Sequence, residues 1–364
     1  MEVKQTLVHN PYRKVNFNTF TRHLCNLHCH TTYSDGYKEP HVRVDEYHDA
    51  GFTILALTDH DTSHKNYPRT LYPWTDFELI WDEVRDGVSK TWPTSGTGGW
   101  VTDNNNRANG LDWQNRDPNT MGMLAIEGTE LTAFNGTHPN QQDLNVYDAG
   151  IVAQANNLSD SLTNATSAGG WAVLVHPGTP NYTVSTIKSL KNNHPSTLKA
   201  IEIFHKANPQ PQWQNNWDEI NRDRDWNKPF YGMGADDAHY SNQLFSGYNQ
   251  MFLPELNHEG FHECLDNGAW VFSDQPLDKG EVVAPLVTRI SRTGKTLTAE
   301  ATNYTGVNWL DDSGNVISTT TTVSFEGREN KFVRCRFTNA EATTLTQPFG
   351  VRVQNVEEDA LFMI

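Results

Sequence analysis

Four short apolar runs in this chain each end in side chains that bind metals: Leu27-His28-Cys29-His30, Leu57-Thr58-Asp59-His60, Val175-His176 and Ala235-Asp236-Asp237-Ala238-His239. The first continues to Ser34-Asp35-Gly36, the second to Asp61, and a further apolar stretch ends in Gly128-Thr129-Glu130. Fifteen histidines in 364 residues make any single HxH pair unremarkable, so the weight rests on the ordered set, in which every member follows a strand-like run. Imidazole and carboxylate together suit Zn²⁺, Mn²⁺ or Fe²⁺ and disfavour an all-oxygen Mg²⁺ or Ca²⁺ site. Clustered divalent ions of this kind would lower the pKa of bound water from about 15.7 to about 7 and stabilise the entering and leaving oxygens of an in-line displacement. They would also bring more positive charge than the ligand carboxylates cancel, and a pocket of that kind favours a phosphate.

Strands must deliver these groups to one place. Up to about residue 275 strand-like and helix-like stretches alternate: strands are expected at 24–29, 54–58, 123–126, 171–175, 200–204, 230–233, 251–253 and 270–272, with helices at 184–192 and 213–222 among those between. Pro40 opens another helix, and Gly51 ends it. The alternation predicts a parallel α/β architecture with the metal-binding groups at the carboxyl ends of its strands, as in a barrel. Alternation along the first strand turns Cys29 away from the face that carries His28 and His30. Residues from about 91 to 120 carry no period and are rich in Gly, Asn, Asp and Trp. They are expected to form an insertion over the metal rim, with Trp92, Trp100 and Trp113 shaping a substrate pocket.

The set HxHTxxSDG, TDHD, GTE, HP and DxH resembles the polymerase and histidinol phosphatase (PHP) family of metal-dependent phosphoesterases. The resemblance covers about 250 residues and implies a distorted (β/α)7 barrel holding two or three divalent ions. It implies that His28, His30, Glu130 and Asp237 hold one metal, that Glu130 bridges to a second held by His138 and His176, and that Asp35, His60 and His239 form the third set. Thr137 lengthens the family's Gly-His spacing here, so Asp143 stands as the alternative to His138. Asp237 is preferred to Asp236 for its DxH spacing to His239, and Glu127 is assigned a structural role. His205 and His64 are candidates for the general acid, and Lys206 for holding a phosphate oxygen. The other histidines, among them His9, His41, His48, His194, His258 and His262, belong to no motif and are assigned to surfaces and helices.

From residue 283 the texture becomes rich in Thr, Val, Asn and Gly, with strand-like runs at 286–290, 297–302, 316–325, 332–337 and 349–353 and no helical pattern. A hydrolase domain over 1–282 and a small all-β, sandwich-like domain over 283–364 are therefore expected. This second part resembles, more weakly, the β-rich extension of some PHP proteins.

Composition narrows the partners. With 36% hydrophobic and 11% aromatic residues the chain can fill real cores. Its net charge of −16, without a basic stripe, excludes ordinary adhesion to nucleic acid or anionic membranes. No run approaches the ~20 apolar residues of a membrane span, and the N-terminus lacks a signal-peptide core. Cys25, Cys29, Cys264 and Cys335 form no CxxC pair. A cytoplasmic location is the default expectation; a secreted or periplasmic one requires a signal already removed. The leading expectation is a phosphoesterase acting on a small phosphate ester. Two alternatives are a hydrolase of non-phosphate esters or carbamates on the same metals, and a glycan- or protein-binding chain whose barrel is an inactive, metal-stabilised scaffold.

Overall fold

The computed structural model describes residues 3–31, 36–60, 83–85, 88–90, 113, 116–133, 142–149, 157–177, 182–205, 211–222, 229–326 and 331–355. In chain order the strands are β1 Val3–His9, β2 Thr21–Asn26, β3 Phe52–Leu55, β4 Glu83–Arg85, β5 Val88–Lys90, β6 Leu124–Ala125, β7 Gly128–Ala133, β8 Gln142–Tyr147, β9 Trp171–Leu174, β10 Leu198–His205, β11 Tyr231–Ala235, β12 Gly247–Leu253 and β13 Trp270–Asp274. They continue as β14 Leu286–Thr293, β15 Thr296–Thr302, β16 Gly306–Asp311, β17 Val316–Ser318, β18 Thr322–Ser324, β19 Phe332–Thr338, β20 Thr343–Thr346 and β21 Phe349–Asn355. The helices are α1 Pro40–Asp49, α2 Pro118–Met121, α3 Leu158–Ser167, α4 Val184–Asn193, α5 Pro211–Arg222 and α6 His258–Asn267.

Local chemistry accounts for the helix ends. Pro40 sits at the first turn of α1, where its missing N–H costs nothing, and Gly51 just past the end takes the left-handed φ of 85°. Asn157, Thr183 and Asn257 each accept a backbone N–H of the first turn of α3, α4 and α6. In α3 the buried residues Leu158, Ser161, Leu162 and Ala165 recur every three to four positions, which fixes the face it lays on the sheet.

The fold is mixed α/β, and the expectation of a parallel sheet holds only in part. Pairs β2/β3, β3/β6, β9/β10 and β10/β11 are parallel. Pairs β7/β8, β8/β9, β2/β12 and β12/β13 are antiparallel. One reason is short connections: a parallel neighbour needs a crossover of about a dozen residues or more. Eight residues separate β7 from β8. A second is that α6 returns the chain so that β13 runs back along β12. Strand β12 also begins earlier than its apolar end suggests, because Asn249 and Gln250 are buried yet satisfied. Asn249 exchanges hydrogen bonds with the Gly234 backbone (3.1 and 2.9 Å), and Gln250 donates to Pro285 O and accepts from Val287 N–H.

Two sheets frame the site. One is five-stranded, ordered β11-β10-β9-β8-β7; the other is eleven-stranded, running β1-β21-β19-β20-β13-β12-β2-β3-β6, with β16 on β19 and β17 on β16. Isolated parallel bridges at Cys29/Ala238 and His60/Glu130 join them just where the metal-binding groups lie. The hydrogen-bonded sheet does not break at residue 283, since β13 pairs with β20, and β1 pairs with β21. Strand β12 and β13 are shared walls. Met251, Leu253, Trp270 and Phe272 face the larger core, while Phe252 and Val271 face a second core with Trp309, Phe337 and Phe349. That second core lies between the three-stranded β14-β15-β18 sheet and the C-terminal strands of the large sheet. The expected strand at 316–325 is two strands, β17 and β18, and β16 and β20 were not anticipated.

Of the insertion expected at about 91–120, Trp92 and Trp100 lie outside the described residues. Trp113 is 2% exposed and packs in a cluster with Cys29, Leu57, Leu244 and Phe245. All four cysteines are buried and free. Among the described residues, no helix is long and apolar enough to cross a membrane.

A buried ion pair ties the C-terminal strands to the α/β part. Arg334 on β19 grips Asp218 on α5 with two parallel hydrogen bonds, Nε to Oδ1 at 2.9 Å and Nη2 to Oδ2 at 2.6 Å, and lies over the Trp217 ring. Both side chains are nearly inaccessible. Asp218→Ala leaves a guanidinium buried without its counter-charge and is expected to cost about 3–5 kcal/mol in denaturant unfolding, whereas replacing both partners by Met and Leu restores most of the loss. A single-mutant loss under 1 kcal/mol would show that the pair does not hold the two parts together.

Candidate metal centre

Each metal-binding group stands on a strand or shortly after its end. His28 and His30 follow β2, His60 follows β3, Glu130 lies on β7, His176 follows β9, His205 ends β10, and Asp237 and His239 follow β11. Backbone hydrogen bonds set their positions, since His28 O accepts from Asp237 N–H (2.9 Å), His30 N–H donates to Ala238 O (3.0 Å), and Glu130 N–H donates to Thr58 O (3.3 Å). His176 and Asp237 have positive φ, 28° and 44°. Neither is glycine, so both backbones are strained by roughly 1–3 kcal/mol and need surrounding structure to hold them.

Four donors meet at van der Waals limits. Among His28 Nε2, His30 Nε2, Glu130 Oε2 and Asp237 Oδ1 the separations are 3.3, 3.2, 3.4, 3.1 and 3.0 Å. All four atoms lie within 4.8 Å of one another, and 3.0–3.4 Å is the spacing of neighbouring ligands on an ion with bonds of about 2.0 Å. The donor set therefore fits a transition-metal ion in size as well as in chemistry.

Around this group two further clusters form. Glu130 turns its other oxygen to His176 Nε2 (2.8 Å), and Asp143 Oδ2 lies 3.8 Å from the same nitrogen. Thus Glu130, Asp143 and His176 converge, with Asp143 in the place that His138 was expected to share. His30, His60 and His239 make the third cluster, the His30 and His239 rings stacked at 4.3 Å. His239 Nδ1 donates to Asp237 O (2.9 Å). Asp35, His138, His64 and Lys206 lie outside the described residues.

His205 comes into the group by a contact that was not foreseen: its Nε2 lies 2.8 Å from Asp237 Oδ2, the oxygen turned away from His28 and His30. Burial outweighs the pull of Asp237 and lowers the pKa of this imidazole. For the inner histidines the balance goes the other way. Burial opposes a charge on His28, but Glu130, Glu202 and Asp237 hold its pKa well above the ordinary value. His176 is pushed up to about 9 against burial, chiefly by its hydrogen bond to Glu130. Burial alone would raise Glu130, yet His60, His28 and His176 hold it well below the usual carboxylate range. The carboxylates thus require cationic neighbours, either imidazolium protons or metal ions in their place.

Supporting groups lie behind the donors. Glu202 accepts from His28 Nδ1–H at 2.7 Å with one oxygen and from the His176 backbone N–H at 2.7 Å with the other. It fixes the tautomer that presents His28 Nε2 to a metal. Nothing in the motif reasoning singled it out, although its signal was present: one carboxylate inside the apolar run Ala200-Ile201-Glu202-Ile203-Phe204. Arg43, buried on α1, donates to the carbonyls of both His30 (3.3 Å) and His239 (3.2 Å). Asp59 holds Thr31 through its N–H (2.7 Å) and hydroxyl (2.6 Å), pinning the chain after His30. Asp236 faces away from the donors and accepts from Tyr47 OH and from the N–H groups of Phe245 and Gly247; its pKa is raised to about 6 by burial, which these bonds partly offset. Cys29 packs behind the site, with its thiol at 3.6 Å from Ala56 O.

Neither a protein-family model nor a curated protein matches the chain. Among solved structures, it resembles a two-domain protein from Bacteroides vulgatus that contains a predicted PHP-like metal-dependent phosphoesterase, at 17% identity and a TM-score of 0.50 over 92% of this chain and 88% of that one. That likeness establishes the shared fold. A candidate metal-dependent phosphoesterase from Bifidobacterium adolescentis matches at 13% identity and a TM-score of 0.38, over 60% of this chain and 88% of that one. An amidohydrolase from Chromobacterium violaceum matches at 12% and 0.37, over 59% and 87%. At such scores the last two add nothing to the fold.

Glu202→Gln keeps the size of the side chain but removes the charge that orients His28. Metal affinity is expected to fall about 10–100-fold, measured by chelator competition, with the far-UV circular dichroism unchanged. Unaltered affinity would deprive Glu202 of its positioning role.

Proposed function

We propose that the chain is a metal-dependent hydrolase of phosphoric esters, acting on a small phosphorylated substrate at a di- or trinuclear centre on the rim of a distorted (β/α)7 barrel formed by the two sheets. The observation that carries this is the convergence of His28, His30, Glu130 and Asp237, four buried donors brought together from three separate strands. Glu130 bridges, its Oε2 facing His28 and His30 and its Oε1 facing His176. His176 and Asp143 complete the second position, and His60 and His239 belong to the third. Bound divalent ions supply water of lowered pKa and positive charge for a phosphoryl group. Zn²⁺, Mn²⁺ and Fe²⁺ match these donors.

The chain's own residues orient the donors and set their protonation. Glu202 and Asp59 hold the His28 to Thr31 segment, and Arg43 draws the His30 and His239 carbonyls toward one another. His205 Nε2 lies 2.8 Å from Asp237 Oδ2, so we assign it to the donor set beside Asp237 and not to proton delivery. His205→Ala is then expected to reduce turnover of activated and unactivated phosphate esters equally. A loss confined to poor leaving groups would return His205 to the general-acid role, which typically contributes ~10²–10⁴-fold.

The function is tested with metal-loaded full-length protein on a panel of phosphate mono- and diesters. Turnover, competitive inhibition by inorganic phosphate, and loss on chelation with recovery by Mn²⁺, Zn²⁺ or Fe²⁺ are expected. Glu130→Ala should lose more than one ion by elemental analysis and His239→Ala a single one. Turnover of carboxyl esters or carbamates, with none of any phosphate ester, would move the chain to that class of hydrolase. A metal-loaded protein inert toward all of these would favour a binding role.

A further inference from the structure

Strand β9 begins at Trp171 and runs to the metal centre at His176, so its first residue lies roughly 15 Å away along the strand. At that far end Asp148 follows β8 directly, opposite Trp171. Its backbone is left-handed, with φ 52°, and its N–H donates to Glu127 O at 3.1 Å. Its Oδ2 accepts from the Trp171 indole N–H at 2.8 Å and lies 3.3 Å from His262 Nε2. His262 stands on α6 four residues after His258, and donor atoms of Asp148, His258 and His262 all lie within 4.8 Å of one another.

The stretch His258-Glu259-Gly260-Phe261-His262 is an H-E-x-x-H string on a helix. Its spacing puts two imidazoles on one face, one turn apart, which is how a helix offers a pair of ligands to a Zn²⁺ ion. Phe261, Cys264 and Leu265 take the buried face, so the histidine pair is turned outward toward Asp148. The 3.3 Å between His262 and Asp148 is one edge of a tetrahedron with bonds of about 2.0 Å. A carboxylate has about four lone-pair sites, so the bond from Trp171 leaves Asp148 free to ligate. The positive end of a helix is a poor place for a cation, but Asp148 and Glu259 provide the compensating charge.

We propose that Asp148, His258 and His262 form a separate, mononuclear site for a Zn²⁺-class ion, independent of the buried centre and sharing no residue with it. Two imidazoles and a carboxylate leave one tetrahedral position for solvent. The ion would link α6, which connects two strands of the large sheet, to the β8/β9 edge of the five-stranded sheet, and so clasp the two sheets from outside.

The test counts Zn²⁺ equivalents bound by metal-stripped, full-length protein, using a chromophoric chelator as competitor. The His258→Ala/His262→Ala double variant is expected to bind one equivalent fewer than the parent, and Asp148→Asn to lose the same equivalent, while the equivalents belonging to the buried centre persist in all three. Added Zn²⁺ should also raise the Tm of the parent more than that of the double variant. If the double variant does not fold, His258→Ala alone, at an exposed position, is scored in the same way. Equal counts in parent and variant would reduce the cluster to a surface ion pair and overturn the proposal. So would an Asp148→Asn protein that keeps the full count, because the carboxylate would then not be a ligand.

Discussion

A carboxylate that is 1% exposed can remain charged only if cationic groups surround it, and Glu130 is placed so that four imidazoles from three strand ends do so. His28, His30 and His60 approach its Oε2 at 3.2, 3.1 and 3.5 Å, and His176 approaches Oε1 at 2.8 Å. Everything nearby serves that requirement. The two bridges that join the sheets fall at His60/Glu130 and at Cys29/Ala238, so the strands are brought together just where the charges need each other. The left-handed backbones at His176 and Asp237 are tolerated for the same reason, because an ordinary φ would carry their side chains away from the group.

The centre was legible in the sequence where its donors came in short motifs at strand ends. HxH, DH, HP and DxH are local patterns, and each becomes a converging group once the strands align. What could not be read was supplied by contacts across the fold. Glu202 lies in a strand whose apolar period fitted a core, and its carboxylate has meaning only beside His28 and His176. His138 was the motif's choice and Asp143 its alternative; the pairing of β7 with β8 brings Asp143 opposite Thr132, two residues from Glu130, while His138 lies outside the described residues. Arg43 looked like one more charge on an amphipathic helix, yet its guanidinium is buried against two ligand carbonyls.

The architecture was less legible than the site. Strand–helix alternation suggested parallel order, but alternation counts elements without giving their direction. The antiparallel strands β8 and β12 carry buried polar residues, Asn145 in one and Asn249 and Gln250 in the other, which break the apolar signature of a strand. His258 and His262 show a related limit: taken one at a time they were ordinary surface histidines, and their spacing gained meaning only with Asp148 beside them.

The pairing of β1 with β21, from Val3 opposite Asn355 to His9 opposite Gly350, joins positions separated by nearly the whole described chain. During synthesis β1 emerges before β21 and must wait, its edge unpaired, until that strand has been made. Contacts of such sequence separation form slowly, and an unpaired strand edge is open to pairing with other chains meanwhile. The sheet that carries His28 and His30 is therefore closed at its far border last. A nascent chain carries that open edge until β21 leaves the ribosome.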